Sequence, residues 1–391
     1  MRVVVNGLPA LKPKTGVGHY TASVLAEFQH ASAFPDGRLR EWVARSYRVV
    51  AGASKPPGAS KSTLLCSLVK RSSPLLRDVG NFALGRAFRA MCARERFDLY
   101  HEPNFIPFAC DLPTVTTIHD LSVLAHPEWH PADRVRAWEK QFLAGVGRSA
   151  HFVAVSEAAR QEVLRVLGVS PSRVTAVHNG IRESLCPQSP AAVAAVREAL
   201  RLPDRFLLHV GTIEPRKNLL MLMRAFVALP ATLRERCPLV LVGGWGWNTA
   251  EVADYFHSTA RSAGVRHVGY AADGDLAALY TAARALVYPS LYEGFGLPPL
   301  EMMACGGAAV ASDIAPHREV AGGQALLIDP RDEIAWRDAI AGLIADDDMV
   351  RSLRNGAERH ARPFTWARCA AETRAVFRKV LHPWATTAVA A

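Results

Sequence analysis

Glu293-Gly294-Phe295-Gly296-Leu297-Pro298-Pro299-Leu300-Glu301 follows a short apolar run, Ala285–Tyr288, and leads into a helical pattern. The run is strand-like, and the glycines let the chain turn tightly beyond it. Proline is pre-organised for the first turn of a helix, so Pro298 and Pro299 mark where the helix opens. A glycine-rich strand-to-helix junction aims backbone N–H groups at an anion. Glu293 and Glu301, eight positions apart, place one carboxylate on each side of that point. Carboxylates accept hydrogen bonds from hydroxyl groups. A ligand with hydroxyls on both sides of a phosphate fits this stretch; a plain junction with two surface acids is the competing reading.

The same strand-then-helix unit recurs outward from this stretch. Phe206–Val210, Leu239–Val242, Val265–Val268, Ala308–Ala311 and Ala325–Ile328 are short apolar runs bounded by Gly, Pro or Asp and followed by helical patterns. An earlier series comprises Arg2–Val5, Tyr47–Val50, Asp98–Tyr100, Thr114–Ile118, His151–Val155 and Val174–Val177, with helices expected over Gly18–Gln29, Pro131–Ala144 and Glu157–Leu167, the last capped by Ser156. Between the two series His178-Asn179-Gly180 signals a turn, Arg182–Pro190 has no periodicity, and helical spacing resumes in Ala191–Arg201. Strands separated by helices imply parallel sheets covered on both faces. The expected class is α/β, with two Rossmann-like domains facing across a cleft: residues 1–182 and residues 183–364. Thr365 can cap a final helix whose stripe Trp366, Cys369, Ala370, Thr373, Val376, Phe377 and Val380 arrives after the second sheet is complete. That helix, spanning residues 365–382, is expected to return to the first domain, and the small apolar tail after Pro383 to fray.

Bulk properties narrow the classes. A chain of 391 residues, half hydrophobic and about a fifth charged, is long enough for two or three domains with ample core. Its longest apolar runs fall short of a membrane span, and its seven scattered cysteines form no Cys-x-x-Cys pair. Reduced, packing cysteines and a cytoplasmic protein are expected. The net charge of +10 is local: between Arg38 and Arg96 stand thirteen Lys or Arg against Glu41, Asp78 and Glu95, which is the whole surplus. Such a bias points to an anionic partner. Trp42, Tyr47, Phe82, Phe88 and Phe97 lie in the same segment, but no nucleic-acid motif accompanies them. An anionic membrane surface or lipid phosphate is expected rather than nucleic acid.

Three further stretches carry chemistry. In Lys14-Thr15-Gly16-Val17-Gly18-His19-Tyr20, Gly16 and Gly18 allow close approach to a ligand, but Thr21 stands where a dinucleotide fingerprint has its third glycine and no acid ends Tyr47–Val50. NAD chemistry is therefore disfavoured. Gly211-Thr212-Ile213-Glu214-Pro215-Arg216-Lys217-Asn218 sets Arg216 and Lys217, a fork and a point charge, at a strand-to-helix loop suited to a diphosphate. Basic residues disfavour a helix start unless something negative is bound there. His119 and Asp120 end the strand Thr114–Ile118, at the edge where cleft residues collect. Asp273-Gly274-Asp275 and Asp346-Asp347-Asp348 both precede helical patterns and read as N-caps rather than metal ligands. No metal and no cofactor are expected. Hydroxyls, a diphosphate and a cleft together describe a nucleotide sugar.

These motifs, in this order and over nearly the whole length, resemble those of the retaining GT-B glycosyltransferases of family 4, most closely the bacterial mannosyltransferases of surface polysaccharide assembly. The resemblance rests on Thr15–Gly18, Thr117–Asp120, Val155-Ser156-Glu157, His178-Asn179-Gly180, Gly211–Asn218, Leu241–Gly244, Glu293–Glu301 and Phe364-Thr365-Trp366. It implies a hexosyltransferase, with GDP-mannose the favoured donor and UDP-, dTDP- or ADP-sugars the alternatives. The implied acceptor is a glycan or polyprenyl-diphosphate-linked saccharide at the inner face of the cytoplasmic membrane. It implies that Glu301 holds the ribose and Glu293 the donor hexose. Gly294, Phe295, Gly296 and Leu297 touch sugar and phosphate, and Arg216 and Lys217 offset the leaving diphosphate beside Gly211. His119 contacts an outer sugar hydroxyl, Gly16 and Gly18 let the first domain close over the phosphates, and Tyr270 stacks on the base. His178 stands where the family's turn has proline, which bears on hinge stiffness rather than chemistry. A non-catalytic nucleotide-sugar-binding protein is the remote alternative.

Overall fold

The computed structural model describes residues 1–10, 16–29, 74–272 and 274–382. Tyr47–Val50, most of the basic Arg38–Arg96 segment, Lys14, Thr15, Asp273 and the tail after His382 lie outside the described residues.

The first sheet holds β1 (Val3–Val5), β2 (Leu99–Glu102), β3 (Thr114–Ile118), β4 (Ser149–Ala154) and β5 (Val174–Ala176), all parallel and in chain order. The second holds β6 (Leu207–Val210), β7 (Leu239–Val242), β8 (Val265–Gly269), β9 (Ala285–Tyr288), β10 (Ala309–Ser312) and β11 (Leu326–Ile328), in the order β11-β10-β9-β6-β7-β8. Its strands are almost continuously apolar because helices cover both faces. Alternate residues serve opposite faces: Leu207, Leu239, Leu241 and Val287 enter one core, while Leu208, Val240, Val242 and Tyr288 enter the other.

The principal helices are α1 (Gly16–Gln29), α2 (Pro74–Glu95), α3 (Ala132–Arg148), α4 (Glu157–Leu167), α5 (Pro190–Ala199), α6 (Leu219–Val227), α7 (Leu297–Ala304), α8 (Ala315–Ala321) and α9 (Trp366–Leu381). The expected return of the last helix is seen. Thr365 accepts from the Arg368 amide to cap α9, and Trp366, Cys369, Val376 and Phe377 join Val3, Val5, Tyr20 and Phe28 in one core. The two chain crossings between sheets run side by side, with the Ile181 amide donating to the Phe364 carbonyl at 2.9 Å. Gly180 is required there: a Cβ would lie 2.2 Å from the Trp366 backbone nitrogen.

Several local expectations are corrected. Helix α1 starts at Gly16, not Gly18, so both glycines sit in its first turn instead of a preceding loop. Helix α3 runs on to Arg148. The helical pattern that follows Asp346-Asp347-Asp348 is two helices, Asp347–Arg354 and Ala357–Ala361, broken where Gly356 adopts φ +87°. Asp346 caps the first of these through the Asp348 and Met349 amides, whereas Asp275 precedes Leu276–Ala282 without a side-chain cap bond.

The strand order of the second sheet reverses between β6 and β9: β6 has β7 on one side and β9 on the other. In open parallel sheets the crevice beyond the carboxyl ends at such a reversal is where ligands sit. The loops that leave β6 and β9 carry Arg216-Lys217 and Glu293-Gly294.

Candidate active site

The two loops meet at Glu293. Its Oε1 accepts from Lys217 Nζ at 2.5 Å and from the Tyr288 hydroxyl at 2.9 Å, and its Oε2 accepts from Arg216 Nη1 at 2.8 Å. Arg216 Nε donates to Glu214 Oε1 at 2.6 Å and Nη1 also reaches the Tyr292 carbonyl at 3.2 Å. Lys217 Nζ donates to the Tyr288 hydroxyl at 2.7 Å. Burial alone would raise the Glu293 carboxyl, but Arg216 and Lys217 hold it well below the usual carboxylate range. Burial and the neighbouring Arg216 lower the Lys217 ammonium, while Glu293 and Glu214 together hold Arg216 firmly charged despite its own burial.

Two cations and two carboxylates are thus brought together. Arg216 and Lys217 lie in a 3-10 turn, Pro215–Lys217, and Asn218 at φ +57° separates them from α6. The expected conflict of positive charge with a helix start is met by Glu293 and Glu214, which supply the negative partner. Gly211 leaves room beside this group, since a Cβ there would lie 3.7 Å from Lys217 Cε.

The glycine-rich loop also touches the first domain. Gly294 packs on the His119 carbonyl so closely that a Cβ would lie 1.6 Å from that oxygen. Ser156, fully buried at the start of α4, donates to the Gly294 carbonyl at 2.6 Å and accepts from the Ala159 amide at 2.9 Å. Gly296, at φ +103°, sits where a Cβ would lie 2.6 Å from the ring of His317, and it opens α7 ahead of Leu297. Phe295 is buried between the rings of His178 and Phe364, at 5.7 and 6.1 Å.

His119 faces this loop from the carboxyl end of β3. Its Nε2 pairs with the Pro103 carbonyl at 2.8 Å, which can only accept, so Nε2 carries the proton and Nδ1 the lone pair. Burial lowers the imidazole, favouring the neutral form. Beneath it the buried Glu102 accepts from Asn6 at 2.8 Å and from the Asn104 amide at 2.9 Å, which fixes the turn that presents the Pro103 carbonyl.

The other expected site residues are not joined to the Glu293 cluster by a hydrogen bond or ion pair among the described residues. Glu301, in α7, accepts from the Tyr280 hydroxyl at 2.8 Å and lies 3.9 Å from Arg182. Tyr270 follows Gly269 at the end of β8 and is 69% exposed, leaving its ring face open. Gly16, exposed, and Gly18, buried, occupy the N-terminal turn of α1.

Several residues of the site escape motif reading. Tyr288 ends β9 and looks like a core aromatic, yet its hydroxyl is bonded into the Glu293 cluster. The Tyr292 hydroxyl accepts from the Leu121 amide at 2.9 Å and donates to Glu162, joining the domains. Trp247 Nε1 donates to the Trp129 carbonyl at 2.9 Å, with Arg134 stacked 4.4 Å over its ring. Glu319 accepts from the Glu157 and Ala158 amides at 2.7 and 2.9 Å and pairs with His178 Nε2 at 2.6 Å. Tyr292, directly before Glu293, is the one available signal; Tyr288 is bonded within the second domain, and Trp247 and Glu319 across the cleft.

Known proteins resemble this chain in sequence and in fold. Residues 194–360 match the family model described as glycosyl transferases group 1, and residues 39–185 match that of glycosyltransferase family 4. The chain is 32% identical over 378 residues to the O-antigen chain mannosyltransferase B of Escherichia coli, covering 95% of this chain and 98% of that protein. It is 33% identical over 265 residues to the serotype-specific mannosyltransferase WbdA of Escherichia coli, covering 66% of this chain and 32% of that one. In fold it is similar to sucrose-phosphate synthase from Thermosynechococcus elongatus (TM-score 0.69, 20% identity, 98% of each chain). The Anabaena HepE protein in complex with UDP and glucose is a further fold neighbour (TM-score 0.68, 16% identity, 97% of this chain and 100% of that one). With two parallel-sheet domains, a reversal-point crevice and a relative matched end to end, this chain belongs to the family 4 glycosyltransferases and is a hexosyltransferase of the GT-B fold.

Proposed function

We propose that the enzyme transfers mannose from GDP-mannose, with retained anomeric configuration, to a glycan or polyprenyl-diphosphate-linked saccharide of surface polysaccharide. One observation carries the reading of the donor site: Arg216 and Lys217 from the β6 loop and Glu293 from the β9 loop converge at the reversal point of the sheet. The names of the relatives favour mannose and a surface glycan. Residues 183–364 form the donor half, and residues 1–182 with the returning helix form the acceptor half. The donor lies with its diphosphate against Arg216, Lys217 and the loop Gly294–Leu297, its ribose at Glu301 and its base towards Tyr270. Gly16 and Gly18 close over the phosphates from the other domain.

In this reading the bond between the sugar's C1 and the β-phosphate oxygen breaks while the acceptor hydroxyl oxygen bonds to C1 on the same face. The acceptor's proton passes to the departing phosphate oxygen. Arg216 and Lys217 stabilise the charge that develops on the diphosphate, a task suited to fixed cations in a site of low dielectric. They supply the countercharge without a metal ion. Glu293 accepts from a donor hydroxyl, and the Nδ1 lone pair of His119 accepts from an outer one. Neither acts as a nucleophile. Among the described residues no helix is long and apolar enough to cross a membrane. A lipid-linked acceptor would instead be met by peripheral contact of the basic segment.

Calorimetry with GDP, UDP, dTDP and ADP tests the donor; GDP should bind most tightly, and preference for another base would reassign it. Arg216→Ala with Lys217→Ala removes charge-assisted hydrogen bonds worth roughly 1.5–3 kcal/mol each, so the double variant should lose about a hundredfold or more in donor affinity. A loss below threefold would show that the diphosphate sits elsewhere. Activity should persist in a chelator, and strict Mg²⁺ dependence would contradict the metal-free reading.

A further inference from the structure

A cavity of about 410 Å³ opens on the far side of Glu293 from the loops of β7 and β8. It lies between the domains. Glu162 and Gln161 of α4 form one wall, and Tyr292 and Glu293 of the β9 loop with Ala315 and Pro316 of α8 form the other. The strand order explains its position: β10, which leads to α8, flanks β9 on the side opposite β6. Neither Arg216 nor Lys217 lines the cavity, so in the proposed reading the donor they hold leaves it free.

The lining is mixed in a particular way. Glu162 is an acceptor whose side chain is 17% exposed, held by the Tyr292 hydroxyl and 3.7 Å from Arg165. The Gln161 amide, on an exposed residue, reaches Glu157 at 2.6 Å and offers both a donor and an acceptor. Tyr292 and Pro316 supply apolar surface. Carboxylate and amide groups bind hydroxyls, and flat apolar surface packs against the C–H faces of a pyranose ring. The volume is that of a small-molecule site.

We propose that this cavity is an acceptor subsite, taking a neutral saccharide unit with its hydroxyls on Glu162 and Gln161 and a ring face on Tyr292. The proposal rests on the transfer reading above. It makes Glu162 and Gln161 acceptor-specificity residues contributed by the first domain, and it makes the subsite complete only when the domains are closed, since Tyr292 and Pro316 belong to the second.

Saturation-transfer NMR on the full chain, with GDP present and methyl α-mannoside or mannobiose as the added saccharide, tests it. The wild type should show transfer to the saccharide. Glu162→Gln should reduce it at least fivefold, and so should Ala315→Trp, which fills the cavity from an exposed position and leaves the core untouched. In the transfer assay both variants should raise the acceptor KM tenfold or more, with GDP affinity by calorimetry within twofold of wild type. No saccharide signal from the wild type, or equal signals and unchanged acceptor KM in both variants, overturns the subsite. Failure of every nucleotide diphosphate to bind would instead overturn the donor reading, so the two failures are separable.

Discussion

Removing the charge from Glu293 does two things at once. In the proposed reading it takes away an acceptor for the sugar, and it leaves Arg216 and Lys217 buried beside each other with only Glu214 to answer them. The sequence alone predicts that transfer by Glu293→Gln falls steeply with the fold intact. The ion pairing adds a stability cost, because breaking a buried pair from one side costs on the order of 3–5 kcal/mol. The same geometry predicts a rescue. A diphosphate brings the negative charge that the variant lacks, so GDP should raise the melting temperature of Glu293→Gln more than that of the wild type, through ordinary binding linkage. Transfer should stay low in both conditions. A GDP-induced shift equal to or smaller than the wild-type shift would separate the cation pair from the diphosphate.

At the scale of elements, the tightest requirement is at Gly294. Its α-carbon rests on the backbone carbonyl of His119, and a Cβ would lie 1.6 Å from that oxygen, where neither side can yield. Gly294→Ala should leave each sheet folded, yet hold the domains apart. Misplacement of about 1 Å at reacting centres can cost a hundredfold, so kcat should fall by about that factor and small-angle scattering should report a larger radius. A kcat within threefold of wild type would show that this approach is not needed. The same element shows what local sequence could reveal. The strands, the Ser156 and Thr365 caps, the returning helix and the Glu293–Glu301 loop all announce themselves within a few residues through period, proline and glycine. The bonds that complete the site do not. Arg216 meets Glu293 77 positions later, and His178 meets Glu319 141 positions later; no periodicity links such partners. His178, expected to bear on hinge stiffness, forms a hydrogen bond to Glu319 between the domains. Tyr292 and Trp247 are likewise bonded across the cleft, and only the folded chain shows which hydroxyl or indole has a partner there.

Across the whole molecule the charge surplus resides in one segment of the first domain, the half that would receive the acceptor. Its described part is α2, near whose end Phe88 and Cys92 pack with Phe97 and Tyr100 while Arg89 and Arg94 are exposed. We propose that this helix, held by its apolar face, meets an anionic surface with its exposed arginines. Each Lys or Arg near such a membrane is worth about 1 kcal/mol, and the attraction fades within a Debye length. Reversing Arg89 and Arg94 to Glu removes two attractions and adds two repulsions without disturbing the packed face. Binding to vesicles containing phosphatidylglycerol should then weaken at least tenfold, while nucleotide affinity is kept. Wild-type binding should fall steeply on raising salt and should be absent on phosphatidylcholine alone. Equal sedimentation with neutral and anionic vesicles, or no change on charge reversal, would reduce the segment to a solvated surface and leave a lipid-linked acceptor to be delivered by another route.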